Sequence, residues 1–340
     1  MMRYFCLVLL LTSVAPAQST STTYRTDING NRQVVSTSDT SAQGATTTRT
    51  QRVNGGRAPN EETSERVIRD DATGKVVERI VKKYDTTGRL AATERVVSEE
   101  TKQASGGKLL KETTSRSEAN SPFRDTERRT SDTSVSGQTS TTNTTIDRPN
   151  VNGGFAAAEK RTLVATGPKD NQQSSETIDR PDPNGRFRPA ERRDTTTTTT
   201  GATTTNNTAT YQSDQNGKFQ LARQSVATTT KDASGGSVTS TDVFAADQPG
   251  YPRSTADKPH LQEQQTTQRK VGPDGSVTET VMVRSATLND PSRLSAPKVV
   301  SETVCKGQCI DPATVAPAKP VTLANAKDAK DAKAKGTPRP

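Results

Sequence analysis

The chain predicts an all-β fold: an elongated antiparallel β-hairpin repeat of about 32 residues per unit, as a meander or solenoid-like ribbon. Three observations predict it. Asn-Gly pairs recur at a spacing of 32, at Asn152-Gly153, Asn184-Gly185 and Asn216-Gly217. An aromatic keeps the same step, at Phe123, Phe155, Phe187, Phe219 and Tyr251. The stretches between them are rich in Thr and Val, whose branched Cβ suits a pleated surface.

Each unit reads as two strands and two turns. Asn-Gly predicts a tight type I′ turn, because both central residues of that turn need φ > 0. A second turn signal follows half a period later, at Gly44, Gly106-Gly107, Gly137, Gly167, Gly201 and Gly235-Gly236. Glu-Arg or Glu-Lys follows the aromatic in successive units: Glu127-Arg128, Glu159-Lys160 and Glu191-Arg192. Ile146-Asp147-Arg148-Pro149 and Ile178-Asp179-Arg180-Pro181 precede the turn in the two best-matched units. Tyr84-Asp85-Thr86-Thr87-Gly88-Arg89-Leu90 resembles the core of YD repeats, which form β-hairpin shells in secreted bacterial proteins. The resemblance covers seven residues, and no function follows from it.

Only 28% of residues are hydrophobic and 3% aromatic, with no Trp. Such a chain cannot build a thick core. The aromatics are expected to stack as a ladder up one face, and the sheet's curvature is left open. With so little to bury against the entropy of ordering, a largely disordered chain is the alternative. A porin-like barrel is set aside, because Thr, Arg, Glu and Gln occupy both faces of the strands and leave no lipid-facing apolar band.

The ends differ from the middle. Met1-Met2-Arg3, the apolar run from Phe5 to Leu11 and Ala15-Pro16-Ala17 lay out a signal peptide over residues 1–17. Residues 18–304 form the Thr-rich repeat region, 305–309 a Cys-x3-Cys loop, and 310–340 a disordered basic tail rich in Pro, Ala and Lys. In an exported protein Cys305 and Cys309 are expected to close a small disulfide. The formal charge of +9 is spread along the chain.

Little points to chemistry. His260 is the single histidine and sits in a Pro-flanked stretch without a nucleophile motif. Asp27-Ile28-Asn29-Gly30, Asp182-Pro183-Asn184-Gly185 and Asp214-Gln215-Asn216-Gly217 share an oxygen-rich turn, but lack the further acids of a calcium loop. No catalytic residue, metal site or cofactor is expected. The sequence therefore implies an exported, non-enzymatic structural or surface protein: a spacer, matrix element or adhesive stalk. The alternatives are a disordered, O-glycosylated Thr/Ser-rich linker and a module binding anionic cell-wall or surface polymers through its basic tail. Location is expected to be secreted, periplasmic or at the cell surface.

Overall fold

The computed structural model describes residues 17–26, 31–53, 56–118, 121–214, 216–245, 260–287 and 293–307. All its regular structure is β. The first strands are β1 (Ala17–Thr26), β2 (Arg32–Gln43), β3 (Thr46–Val53), β4 (Glu61–Asp70), β5 (Gly74–Tyr84) and β6 (Leu90–Lys102). Then come β7 (Lys108–Glu118), β8 (Arg124–Ser136), β9 (Thr139–Pro149), β10 (Phe155–Thr166), β11 (Asn171–Pro181) and β12 (Phe187–Thr200). The last are β13 (Thr203–Ser213), β14 (Phe219–Lys231), β15 (Ser237–Ala245), β16 (His260–Val271), β17 (Val277–Ser285) and β18 (Lys298–Gly307).

Each strand pairs antiparallel with the next, as the hairpin repeat predicts. The tracts Thr195–Thr200 and Thr203–Thr205 lie inside β12 and β13, where Thr198–Thr200 pair with Thr203–Thr205 and Thr195–Thr197 with Thr208, Asn207 and Asn206, rather than in an unstructured linker. The ribbon expectation needs correction at its ends. β1 pairs with β2 and also with β18, from Ser19 opposite Gly307 to Tyr24 opposite Glu302. The 18-stranded sheet is therefore a closed up-and-down barrel without a free edge. Strands about 4.8 Å apart, at a usual tilt near 40°, close at a radius of roughly 18 Å, wide enough for an aqueous lumen.

Repeated bulges supply the curvature. In the β5–β6, β7–β8, β9–β10, β11–β12 and β13–β14 pairs the register shifts once, each time just inside the same rim. The extra residue is Ala91, Thr126, Ala158, Ala190 and Ala222 in turn. The β1–β2, β15–β16 and β17–β18 pairs carry the same irregularity. A bulge bends its strand and raises the local twist, and repetition around a sheet rolls it up.

The Asn-Gly turns also differ from expectation. In the β11–β12 connection the Gly185 amide donates to the Asp182 carbonyl at 2.8 Å, which places Pro183 and Asn184 at the centre of the turn. Gly185 follows at φ +78°, and the Asp182 amide donates to the Arg186 carbonyl. This is a type I turn closed by a left-handed glycine, with Asn at its second central place, rather than a two-residue I′ loop. Asn150 to Gly153 and Asp214 to Gly217 repeat it. On the opposite rim Gly44, Gly137 and Gly201 lead two-residue loops, with φ near +59°.

The turn aspartates are clamped. Asp182 Oδ1 accepts from the Asn184 and Arg186 amides at 2.9 and 3.0 Å. The Arg186 amide is the main cause that holds its carboxyl below the usual aspartate range. At Asp85, Asp232 and Asp274 the leading cause is the hydroxyl of Thr87, Ser234 and Ser276 respectively, with the same downward direction. A depressed folded pKa stabilises the fold above the unfolded value of about 3.9, and that stabilisation is lost as pH falls through the folded value. The urea midpoint is thus expected to fall on acidification below about pH 4. Asn at these four positions keeps the acceptor without the titration, so the variant should show a shallower fall. An equally steep acid limb in that variant would remove the turns from the account.

Candidate functional site

A closed sheet has a concave face, on which side chains converge and shield one another. Along β8 Glu127, Arg129, Ser131 and Thr133 are half-buried, whereas Thr126, Arg128, Thr130 and Asp132 are exposed. The shielded set shares its face, through the register, with Glu112, Thr144, Ile146, Arg161, Glu176 and Ile178. A shallow recess of about 190 Å³ opens on this same face across β5 to β8, between Arg79, Glu94, Glu112, Glu127 and Arg129. This is the inner wall.

The inner wall carries an ion-pair chain. Glu159 accepts from Arg161 at 2.6 Å and from Arg180 at 3.2 Å. Arg161 reaches Glu176 at 3.7 Å, Glu176 reaches Arg193 at 3.5 Å, and Arg193 reaches Glu191 at 2.5 Å. Arg148 on Glu127 at 3.1 Å repeats the Arg180–Glu159 pair one unit earlier. Burial pushes the Glu159 carboxyl up, but the hydrogen bonds from both arginines outweigh it and hold the group below its ordinary range. Beneath these side chains lie Ile146 and Ile178, 2% and 1% exposed. Ile146 stands between Arg129 and Glu159, and Ile178 between Arg161 and Glu191. Away from the charged belt the wall is hydroxylic, with Thr133–Thr142, Thr195–Thr208 and Thr229–Thr239 paired at 2.8, 3.0 and 2.9 Å.

The outer wall explains the rest of the repeat. Phe155, Phe187 and Phe219 open β10, β12 and β14, so the ring ladder runs around one rim of the barrel. The Arg128 guanidinium lies 4.2 Å from the centre of Phe155, and the Lys160 ammonium 4.5 Å from that of Phe187. Arg192 covers Tyr211 at 4.6 Å and Phe219 at 5.3 Å. The cation of each Glu-Arg or Glu-Lys pair thus stacks on the ring of the next unit, while its Glu turns to the inner wall. Asp147 and Asp179 stand opposite Arg128 and Lys160. Phe123 precedes β8 and is 49% exposed. Tyr251 lies outside the described residues.

Asn152-Gly153, Asn184-Gly185 and Asn216-Gly217 occupy three successive turns of that rim. Cys305 lies in β18 opposite Ser21 and Val277 and is disulfide-bonded. Cys309, residues 1–16 of the expected signal peptide and the expected basic tail lie outside the described residues. His260 begins β16. The sequence does not single out the inner ion-pair chain as a unit. Its signal is the Ile-Asp-Arg-Pro repeat, whose Arg meets the Glu of the preceding unit.

Chemically the site is closed on itself. Each acid whose pKa is displaced among the described residues is displaced downward. Among the described residues no group of His, Cys, Asp and Glu is arranged to hold a metal ion, and no helix is long and apolar enough to cross a membrane.

No protein-family model and no curated protein matches the chain. Among solved structures it is similar to a mutant of the vaccine antigen transferrin binding protein B from Haemophilus parasuis. That likeness has 9% identity and a TM-score of 0.17, over 86% of this chain and 77% of that one. Similarity of that size carries no inference about the chain.

Proposed function

We propose that the chain is an exported, non-enzymatic structural element of a surface or extracellular matrix: a hydrated barrel that holds a rim of short turns on a rigid wall. One observation carries this reading. Both faces of the wall are polar and internally paired, the inner by Arg–Glu chains and hydroxyl ladders, the outer by cation–ring stacks and half-buried ion pairs such as Arg52–Asp39 at 2.5 Å. A wall of this kind suits water on both sides, and among the described residues it shows neither the apolar pocket of an active site nor the apolar band of a lipid-facing barrel. Export rests on the leader pattern, whose cleavage after Ala17 would leave Gln18–Thr26 of β1 free to stay in the sheet.

The test expresses the full gene product with its own leader in a secreting host. The mature chain is expected in the medium or envelope with Gln18 as its first residue. A cytoplasmic product that keeps Met1 would overturn export. The purified mature chain is expected to turn over no ester, glycoside or phosphoester chromogenic substrate. Turnover that disappears in Glu127→Gln or Glu159→Gln would overturn the non-enzymatic half.

A further inference from the structure

Consecutive strands are joined along the chain, but β1 and β18, its two ends, are neighbours without a connection, so their ladder alone closes the barrel. That seam runs from Ser19 opposite Gly307 to Tyr24 opposite Glu302, six register pairs in all. Its two halves are fastened differently. In the half nearer the aromatic rim, side chains reach across. The Thr23 and Thr303 hydroxyls pair at 3.1 Å, and Arg32 of β2 stacks 3.8 Å from the centre of Tyr24 and pairs with Glu302. In the other half Ser19, Thr20 and Ser21 stand opposite Gly307, Lys306 and Cys305. Gly307 has no side chain to offer, and the Thr20 hydroxyl donates to Asp39 of β2, away from β18, at 3.1 Å.

A covalent bond sits where this side-chain fastening thins out. Cys305 is disulfide-bonded, and Cys309 is the one other cysteine after the leader. The ring that a bond between them closes contains Cys305, Lys306 and Gly307, which supply three of the six seam pairs. Such a ring restricts the backbone inside it. Gly307 stands there at φ +86°, the left-handed conformation that turns the chain back. Without the bond this end of β18 has more freedom to lose on pairing, and glycine loses the most of any residue. Cys305 is half-buried and Lys306 and Gly307 are exposed, so the ring is open to water at the rim.

We infer that the bond from Cys305 to Cys309 is a redox latch on the seam of the barrel. Oxidised, it holds the end of β18 in register against β1. A dithiol reductant breaks the S–S bond by thiol–disulfide exchange. The reductant's own thiols join as a disulfide, and its electrons and protons pass to Cys305 and Cys309, which become thiols. The end of β18 then frays from β1, and the edges so exposed pair with a second copy of the chain. The latch goes beyond the structural role proposed above and stands without export, because its test uses purified protein.

The full mature chain in its oxidised form is compared with the same chain in dithiothreitol. Peptide mapping without reductant should give a Cys305–Cys309 link within one chain. On reduction, the amides of residues 19–21 and 305–307 should exchange roughly tenfold faster, while those of β9 to β12 keep their rates. Sedimentation of the reduced chain should show concentration-dependent oligomers, and reoxidation should restore the monomer. The variant C305S/C309S should exchange as reduced wild type does and should not respond to dithiothreitol. If that variant does not fold, reduction of folded wild type decides alone. The proposal is overturned if Cys305 is a free thiol or is linked between chains, if reduction leaves the seam amides unchanged, or if the reduced chain stays monomeric. Equal acceleration in β9 to β12 would also overturn it, because the bond would then staple the whole barrel rather than latch its seam.

Discussion

Replacing Ile178 by Ala is expected to cost about 2–5 kcal/mol, and Ile146→Ala a similar amount. These are the two large side chains that the wall covers completely, at 1% and 2% exposure. The loss has two parts. Removing the buried carbons forfeits their transfer from water, and the space left behind is roofed by Arg161, Glu176, Glu159 and Arg129 rather than by apolar atoms. Water that enters there competes with the ion pairs above it, so the charged roof loosens with the floor. Typical domain stability is only about 5–15 kcal/mol, and a double variant would remove a large share of it. Val238, 43% exposed on the same type of strand, is the comparison. Its replacement by Ala should cost within about 0.5 kcal/mol. Urea unfolding followed by far-ultraviolet dichroism reads all three. If Ile178→Ala moves the midpoint no further than Val238→Ala, the view of these isoleucines as anchors is wrong.

The repeat is legible in the sequence because one unit is a local object. Glycine at most turns, a ring opening β10, β12 and β14 and Thr along the ladder are all set within about 32 residues. That Phe155 and Phe187 lie on one face also follows from equal spacing. Three features are not legible, each for a physical reason. Closure depends on Ser19 to Tyr24 meeting Glu302 to Gly307, a pairing between the two ends of the sheet that no local pattern encodes. The bulges depend on one unpaired residue per hairpin. Ala158, Ala190 and Ala222 do recur at the repeat spacing, but alanine is too common to mark a bulge. The turn type stays ambiguous because Asn-Gly fits two kinds of loop. Here the Asp or Asn two residues earlier decides between them, by capturing the amides of the loop. The polar strands argue against a lipid-facing barrel, but they do not argue against closure. A barrel between two aqueous phases needs no apolar band.

Removal of residues 18–26 is expected to convert a monomer into concentration-dependent oligomers, the largest change in behaviour that any short alteration here should produce. β1 and β18 are the one neighbouring pair not joined by a turn, so the ring depends on their ladder alone. Its register crosses Thr22–Val304, Ser21–Cys305 and Thr23–Thr303, the last joined by a hydroxyl pair at 3.1 Å. Arg32 of β2 reaches over β1 to Glu302 of β18, which pins the seam from outside. Without β1, β2 and β18 become long, regular edges with unpaired amides and carbonyls, the kind of edge that pairs with other chains. Gly307→Val tests the same point with the chain intact. Gly307 has φ +86°, and a Cβ there would stand 2.7 Å from the Gln18 carbonyl oxygen, so the side chain must push β1 away. Gly201→Ala is the control, because its Cβ would meet nothing within 4 Å although φ is also positive. It should cost stability and leave the protein monomeric. Analytical ultracentrifugation separates these outcomes, and hydrogen exchange locates them, since β2 and β18 amides should lose protection only when the seam fails. A monomeric deletion variant with β2 and β18 still protected would show that the ring does not depend on this strand, and the closed barrel would have to give way to an open sheet.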